Sequence, residues 1–272
     1  MSIAAPADAA LEAFDNGAAA WCDYLSTPLG RLRHDVSLHY LTEHLGGLGR
    51  ESRVLDAGGG TGSYAVPLSE RGCYVCLLDF STEMLALARD RILSHDAGLL
   101  KLVYFRQGNV EEIAELFPAE YFDLILCHTL LEYLADPLGV ARKLVGALRP
   151  GGLISFLLTN NEAEAIRWVL ARQDLQQARQ ALERSASSAD LFGLSRHTLS
   201  LELVAETLSP LGMMQVADYG VRVVADYLPS EKVANPPLYR QLLDLEKAMG
   251  RLHPYKLVAR YRQLLMRKRE EE

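Results

Sequence analysis

Residues Asp56-Ala57-Gly58-Gly59-Gly60-Thr61-Gly62 set a carboxylate and four glycines directly behind the apolar pair Val54-Leu55. Glycine opens backbone torsions closed to other residues and lets a ligand approach the main chain without a Cβ in the way. The spacing does not suit a dinucleotide. A G-x-G-x-x-G pattern started at Gly58 meets Ser63 at its last position, and one started at Gly59 meets Thr61 at its second. What fits is D-x-G-x-G-x-G. A carboxylate at Asp56 attracts a cationic amino-acid group and repels a pyrophosphate by roughly a few kcal/mol where unscreened. A second acid, Asp79, closes the next apolar run, VCLLD. It lies about 20 residues on, a spacing at which a carboxylate accepts from the hydroxyls of a ribose. An amino-acid group, a ribose and no pyrophosphate together describe S-adenosylmethionine.

These residues need a scaffold, and the flanking pattern predicts one. RVLDA, YVCLLD, LVYF, FDLILCH and LISFLLT are short apolar runs, with helical stretches at 62–71, 81–94 and 137–148 between most of them. Strands alternating with helices indicate crossover connections and a parallel sheet. Continuous apolar character places those strands under cover on both faces. The glycine run then falls where the first strand turns into a helix starting near Gly62, whose first N–H groups are unpaired. Ligands of such sheets bind beyond the carboxyl ends of the strands. Two helices are expected before the sheet, over 10–27 and in GRLRHDVSLHYLTEHLG, and another in NEAEAIRWVLARQDLQQARQALERS. SASSADLFGLSRH reads as loop; helix, strand and helix follow at 200–211, 213–224 and about 236–250. KLVARYRQLLMRK fits an edge strand or a helix. The expected fold is α/β: a Rossmann-like seven-stranded, mostly parallel sheet with helices on both faces. Its parts are an N-terminal helical lid (1–50), a cofactor-binding core (51–160), a helical and loop insertion over the substrate (161–200) and a C-terminal completion of the sheet (201–272).

Composition agrees with a globular protein: of 272 residues, 49% are hydrophobic and 23% charged. A net charge of −7 provides no global field toward nucleic acid or anionic membrane. The amino-terminal residues lack a basic start and a long apolar core, and no run of about 18 apolar residues occurs. The expected compartment is the cytoplasm. Cys73 and Cys76 form a C-x-x-C inside a strand pattern, where alternation sends the two side chains to opposite faces. With no second Cys/His pair at metal-binding spacing, all four cysteines, Cys22 and Cys127 included, read as packing residues and no metal site is expected.

DAGGGTG, LLDFS and LRPGGLISF together resemble the class I S-adenosylmethionine-dependent methyltransferases over about residues 53–160. The resemblance implies cofactor contacts from Asp56, Gly58, Gly59, Gly60, Gly62 and Asp79, with Asn109 and Val110 in the loop that meets adenine and Phe80 and Met84 packing on it. STPLGRLRHD, LCHTLLEYLADP, GVRVVADYL and HPYKLVARY are similar to segments of the bacterial tRNA 5-carboxymethoxyuridine methyltransferases, which convert the carboxylate of a modified wobble uridine to its methyl ester. That likeness implies that Arg33 meets the methionyl carboxylate and that His128 faces the cofactor beside the substrate mouth.

A methyl on sulfonium is already electrophilic, so the protein mainly aligns the reactants and excludes water. A carboxylate acceptor arrives as an anion and needs a fixed cation rather than a base. Arg222 is the candidate, with Tyr227, Tyr255, Arg260 and Tyr261 around the same mouth. A neutral hydroxyl would want a base, and His128 could serve. One departure bears on the partner. The lysine-rich stretch of the family after the fifth strand is replaced by LERSASSADLFGLSRH, with Arg184 and Arg196 but no basic run. Together with the negative charge this weighs against tRNA and keeps open a small carboxylic or phenolic metabolite, or a non-catalytic cofactor-binding scaffold. Nothing in the sequence speaks to oligomeric state.

Overall fold

A computed structural model of the chain describes residues 7–183, 186–187, 192–194 and 196–270. Arg184 and residues 185, 188–191 and 195 of the loop SASSADLFGLSRH lie outside them. The strands are β1 (Arg53–Ala57), β2 (Tyr74–Asp79), β3 (Val103–Gln107), β4 (Phe122–His128), β5 (Leu148–Thr159), a short pair β6 (Ala186–Ser187) and β7 (Arg196–His197), β8 (Met213–Val221) and β9 (Tyr261–Lys268). Seven of them form one sheet in the order β3-β2-β1-β4-β5-β9-β8. The first five run parallel, while β9 is antiparallel to both β5 and β8. The carboxyl ends of β1, β2 and β4 therefore open on one rim, with the order reversing at β1.

The helices are α1 (Ala7–Ser26), α2 (Pro28–Glu43), α3 (Ala65–Glu70), α4 (Thr82–His95), α5 (Ile113–Leu116), α6 (Pro137–Ala147), α7 (Glu164–Arg172), α8 (Leu175–Glu183), α9 (Leu201–Leu208), α10 (Ser230–Ala234) and α11 (Pro236–Met249). Side-chain alternation along the strands builds two apolar layers. Val54, Val75, Leu77, Leu124 and Leu126 pack on one face with α2, α3, α4 and α11. Leu55, Leu78, Ile125, Ile154 and Phe156 pack on the other with α5, α6 and α9. Cys73 falls in the first layer and Cys76 in the second. α2 starts with Thr27 as N-cap and Pro28 at its first turn, the arrangement that satisfies orphan N–H groups and presets φ. It buries Leu32, Val36, Tyr40 and Leu41 against the sheet, so it is a core helix as well as a wall of the site.

Three expectations are corrected. The helix expected through NEAEAIRWVLARQDLQQARQALERS is two, α7 and α8, because Gln173 ends the first in the left-handed region at φ +54°. The last segment is a strand, and it is interior: β9 lies between β5 and β8, which is the edge. Its polar residues have partners across that interior, with Arg262 reaching Asp218 and Glu202, and Gln263 reaching Ser155. The helix after the glycine run begins at Ala65, not near Gly62. The turn's own N–H groups are engaged within the protein, Gly58 and Gly59 donating to the Leu78 carbonyl, Gly60 to Asp79 and Gly62 to the Gly59 carbonyl. A helix N-terminus therefore does not provide the donors of this site.

Candidate active site

A cavity of about 670 Å³ opens on the carboxyl rim of the sheet. The glycine turn forms its floor. Gly58 and Gly60 have φ of +63° and +53°, and a Cβ on Gly60 would approach only Trp21 Nε1 at 3.7 Å and Met84 Sδ at 3.9 Å. That position faces the cavity. A Cβ on Gly62 would instead press on Leu77 and Ala88, and Gly62 does not line the cavity. Its glycine lets the turn close on the core.

Asp56 and Asp79 stand at the ends of neighbouring strands. Asp79 accepts from the N–H groups of Gly60 (2.8 Å) and Ser81 (3.0 Å). Asp56 Oδ2 is buried and has no protein partner among the described residues. Burial, and then the charge of Asp79, push the Asp56 carboxyl up to about 7. Burial raises Asp79 to about 6 against the pull of its backbone donors. A buried acid with an open oxygen, a second acid beside it and a glycine floor that a Cβ would obstruct match the ammonium and ribose of S-adenosylmethionine. Phe80, Met84, Asn109 and Val110 line the same end. The Asn109 side chain is engaged as a cap, its oxygen accepting from the Glu111 N–H and its amide donating to the Glu111 carboxylate.

Arg33, on α2, is buried; it donates to the Thr129 hydroxyl at 2.9 Å and lies over the rings of Trp21 and Tyr261. His128 ends β4, with Nε2 2.9 Å from the Ser155 hydroxyl. Burial, followed by the charges of Arg33 and His34, lowers its pKa to about 3. Arg222 is buried just past β8 at φ +63°. It forms a two-point pair with Asp226 and donates to the Tyr24 hydroxyl at 2.7 Å. Tyr261 lies under Arg33, Arg222 and Arg260; these cations outweigh its burial and hold its phenol below the usual range. Arg260 and Arg167 share one oxygen of Glu164, at 3.0 and 3.1 Å.

Of the residues singled out in sequence, Arg33, Asp56, Gly58, Gly59, Gly60, Asp79, Phe80, Met84, Asn109, Val110, His128, Arg222, Arg260 and Tyr261 line this one cavity. Tyr227 and Tyr255 do not, and Tyr255 is 47% exposed. Tyr24, Thr129, Glu164, Arg167 and Arg196 line it as well. Tyr24, Thr129 and Arg196 meet Arg222, Arg33 and Thr159 only through the tertiary fold, whereas Glu164 and Arg167 pair within α7, three residues apart, and only the fold brings Arg260 to them. Charge is sorted along the rim. Asp56, Asp79 and Glu111 lie on the β1–β2–β3 side; Arg167, Arg172, Arg196, Arg222 and Arg260 lie on the β5–β9–β8 side, with Glu164 and Asp226 as the opposing carboxylates.

A family model described as "Methyltransferase domain" matches residues 55–156. The fold is that of a Thermotoga maritima S-adenosylmethionine-dependent methyltransferase, titled a possible histamine N-methyltransferase (TM-score 0.63, 16% identity, 95% of this chain and 99% of that one). The same sheet also matches the [4+2]-cyclase SpnF (TM-score 0.53, 20% identity, 82% and 77%), so fold alone does not define the reaction. Fold, domain match and cofactor floor together define a class I S-adenosylmethionine-dependent methyltransferase. The tRNA 5-carboxymethoxyuridine methyltransferase of Escherichia coli (strain K12) is 31% identical over 244 residues, covering 89% of this chain and 90% of that protein. The chain belongs to that family. A ubiquinone biosynthesis O-methyltransferase of Sodalis glossinidius is 36% identical over a shorter span, 58% of this chain and 61% of that protein.

Proposed function

We propose that the chain methylates a carboxylate, that of 5-carboxymethoxyuridine at the wobble position of a cytoplasmic tRNA, to its methyl ester. The observation that carries the reading is the sorting of charge along the rim. The acidic end suits the ammonium and ribose of the cofactor, and the arginine end suits an anionic acceptor. Asp56 takes the ammonium, Asp79 the ribose hydroxyls and Arg33 the methionyl carboxylate, for which a planar guanidinium provides two parallel donors. Asn109 and Val110 border the adenine, with Phe80 and Met84 against its face. Bound S-adenosylmethionine supplies a methyl group already activated by sulfonium. Arg222, with Arg260 and the Tyr261 hydroxyl near it, receives the acceptor carboxylate and turns one oxygen toward that methyl. No proton has to be removed, and His128, neutral at physiological pH, is suited to shaping the cavity rather than to base catalysis.

The depth of Arg222 requires one nucleotide to leave its stack and enter the cavity, as enzymes that modify bases commonly demand. It equally fits a small aryloxy or carboxylic acid, which is the second reading. The deciding experiment incubates the protein with labelled S-adenosylmethionine and bulk tRNA carrying unesterified 5-carboxymethoxyuridine, followed by nucleoside mass analysis. A new methyl ester is expected. No label in tRNA from a protein that binds the cofactor removes the tRNA reading and leaves the small acid.

A further inference from the structure

The loop that carries Arg222 is wound around a carboxylate from a distant element. Glu246, on α11, is fully buried and absent from the cavity wall. Its two oxygens accept from three successive main-chain N–H groups: Oε2 from Val223, and Oε1 from Val224 at 2.9 Å and Ala225 at 2.8 Å. Successive N–H groups converge on one anion only where the chain leaves its extended path, and here that departure begins at Arg222. The left-handed region it occupies is unfavourable for a residue with a Cβ. Three bonds to one carboxylate hold it there.

Glu246 is itself anchored, since the Tyr40 hydroxyl reaches its carbonyl oxygen and that of Lys247. Asp226, the ion-pair partner of Arg222, rides on the same loop and moves with it. From outside that loop, the Tyr24 hydroxyl and the Tyr261 ring meet the arginine head, the Arg260 N–H donates to the Arg222 carbonyl at 2.8 Å, and the Glu246 carboxylate holds the backbone that follows. We propose that Glu246 is a positioning residue: by binding the 223–225 main chain it aims the Arg222 guanidinium at the acceptor in a site it does not touch. This rests on the reading that Arg222 receives the acceptor carboxylate.

The test is a double-mutant cycle on an anticodon stem-loop carrying 5-carboxymethoxyuridine, with wild type, Glu246→Gln, Arg222→Ala and the double variant. Glu246→Gln is expected to raise the acceptor KM about tenfold, the loss of one charge-assisted bond, and to leave the cofactor Kd nearly unchanged. In the Arg222→Ala background it should add little, because residues acting through one another are not additive. Glu246→Asp, which keeps the charge, should recover part of the loss. An unchanged KM in Glu246→Gln, or the same loss repeated without Arg222, overturns the proposal. If Arg222→Ala alone leaves KM unchanged, it is the Arg222 reading that fails, and the role of Glu246 falls with it. Should Glu246→Gln not fold, the same cycle run with Glu246→Asp decides, since a shortened carboxylate must still raise KM only when Arg222 is present.

Discussion

The imidazole of His128 and the hydroxyl of Ser155 are joined across adjacent strands, Nε2 to Oγ at 2.9 Å. The Gln263 amide donates to the same Oγ at 3.1 Å, so the three side chains form one buried hydrogen-bonded chain. Nε2 is thus engaged with Ser155, and the buried Nδ1 has no hydrogen-bond partner among the described residues. A histidine so held, with its pKa lowered to about 3, has neither the basicity nor a free Nε2 for deprotonating an acceptor. His128→Gln should therefore lower kcat less than about tenfold, whereas loss of a true general base costs about 10²–10⁴. A drop in that larger range, or a pH–rate limb near 6.5 that disappears in the variant, would restore the histidine as base.

If Asp56 takes the cofactor ammonium as proposed, cofactor binding is pH-dependent. Both carboxyls are raised in the folded chain, so the folded state binds more protons than the unfolded one. Their stability contribution is complete below the unfolded value of 3.8 and is lost as pH rises through about 6 to 7. His128 runs oppositely: its lowered pKa removes stability as pH falls from 6.5 toward about 3. A cofactor ammonium at Asp56 favours the carboxylate form. Binding at pH 6 should release close to one proton, and affinity should weaken about tenfold per unit below the Asp56 pKa. Calorimetry in buffers of different ionisation heat measures both. Proton release that persists in Asp56→Asn would exclude Asp56 as its source.

The parts legible in sequence are those set by local pattern. RVLDA, YVCLLD and FDLILCH match β1, β2 and β4 residue for residue, because strands buried on both faces carry uninterrupted apolar runs. Asp56 and Asp79 were legible because each closes such a run. β9 was not: Arg262, Gln263 and Arg267 break its apolar pattern, and their partners Asp218, Ser155 and Gly151 lie far off in the chain. The hold of Tyr24 on Arg222 spans 198 residues, and no periodicity reports a contact of that range. The glycine turn misled in one respect, since its N–H groups bond Leu78 and Asp79 instead of opening a helix.

α1 is tied across the cofactor end of the cavity by a short link. Ser81 caps α4 by accepting from the Met84 N–H, and its own hydroxyl donates to Asp15 on α1. Phe14, beside it, meets Phe80 and Tyr133 edge-on. If α1 must lift for the cofactor to leave, Asp15→Ala should speed release of S-adenosylhomocysteine up to about tenfold, the worth of a hydrogen bond of about 1–1.5 kcal/mol. Trp21 lines the cavity and provides the stopped-flow fluorescence signal. An unchanged release rate would mean that the ligand leaves without α1 moving.

Two glycines of the turn should fail in different ways. At Gly60 an added methyl meets no protein atom closer than 3.7 Å, so the fold bears only the left-handed backbone, about 1–2 kcal/mol. For a chain of this size that lowers Tm by only a few degrees, at about 2–4 °C per kcal/mol. The methyl does enter the space assigned to the cofactor, so Gly60→Ala should be folded and bind S-adenosylmethionine more than about tenfold more weakly, a loss of about 1.4 kcal/mol. At Gly62 the methyl lands 3.0 Å from Leu77 Cδ1 and 3.1 Å from Ala88 Cβ, inside the apolar layer, with the same backbone cost. Overpacking there adds about 1–3 kcal/mol. Gly62→Ala should therefore melt well below Gly60→Ala while its folded fraction keeps near-normal cofactor affinity. Thermal melts with and without S-adenosylhomocysteine separate the two. If Gly60→Ala binds the cofactor normally, the glycine turn is not the cofactor floor, and the assignment of Asp56 and Asp79 loses its support.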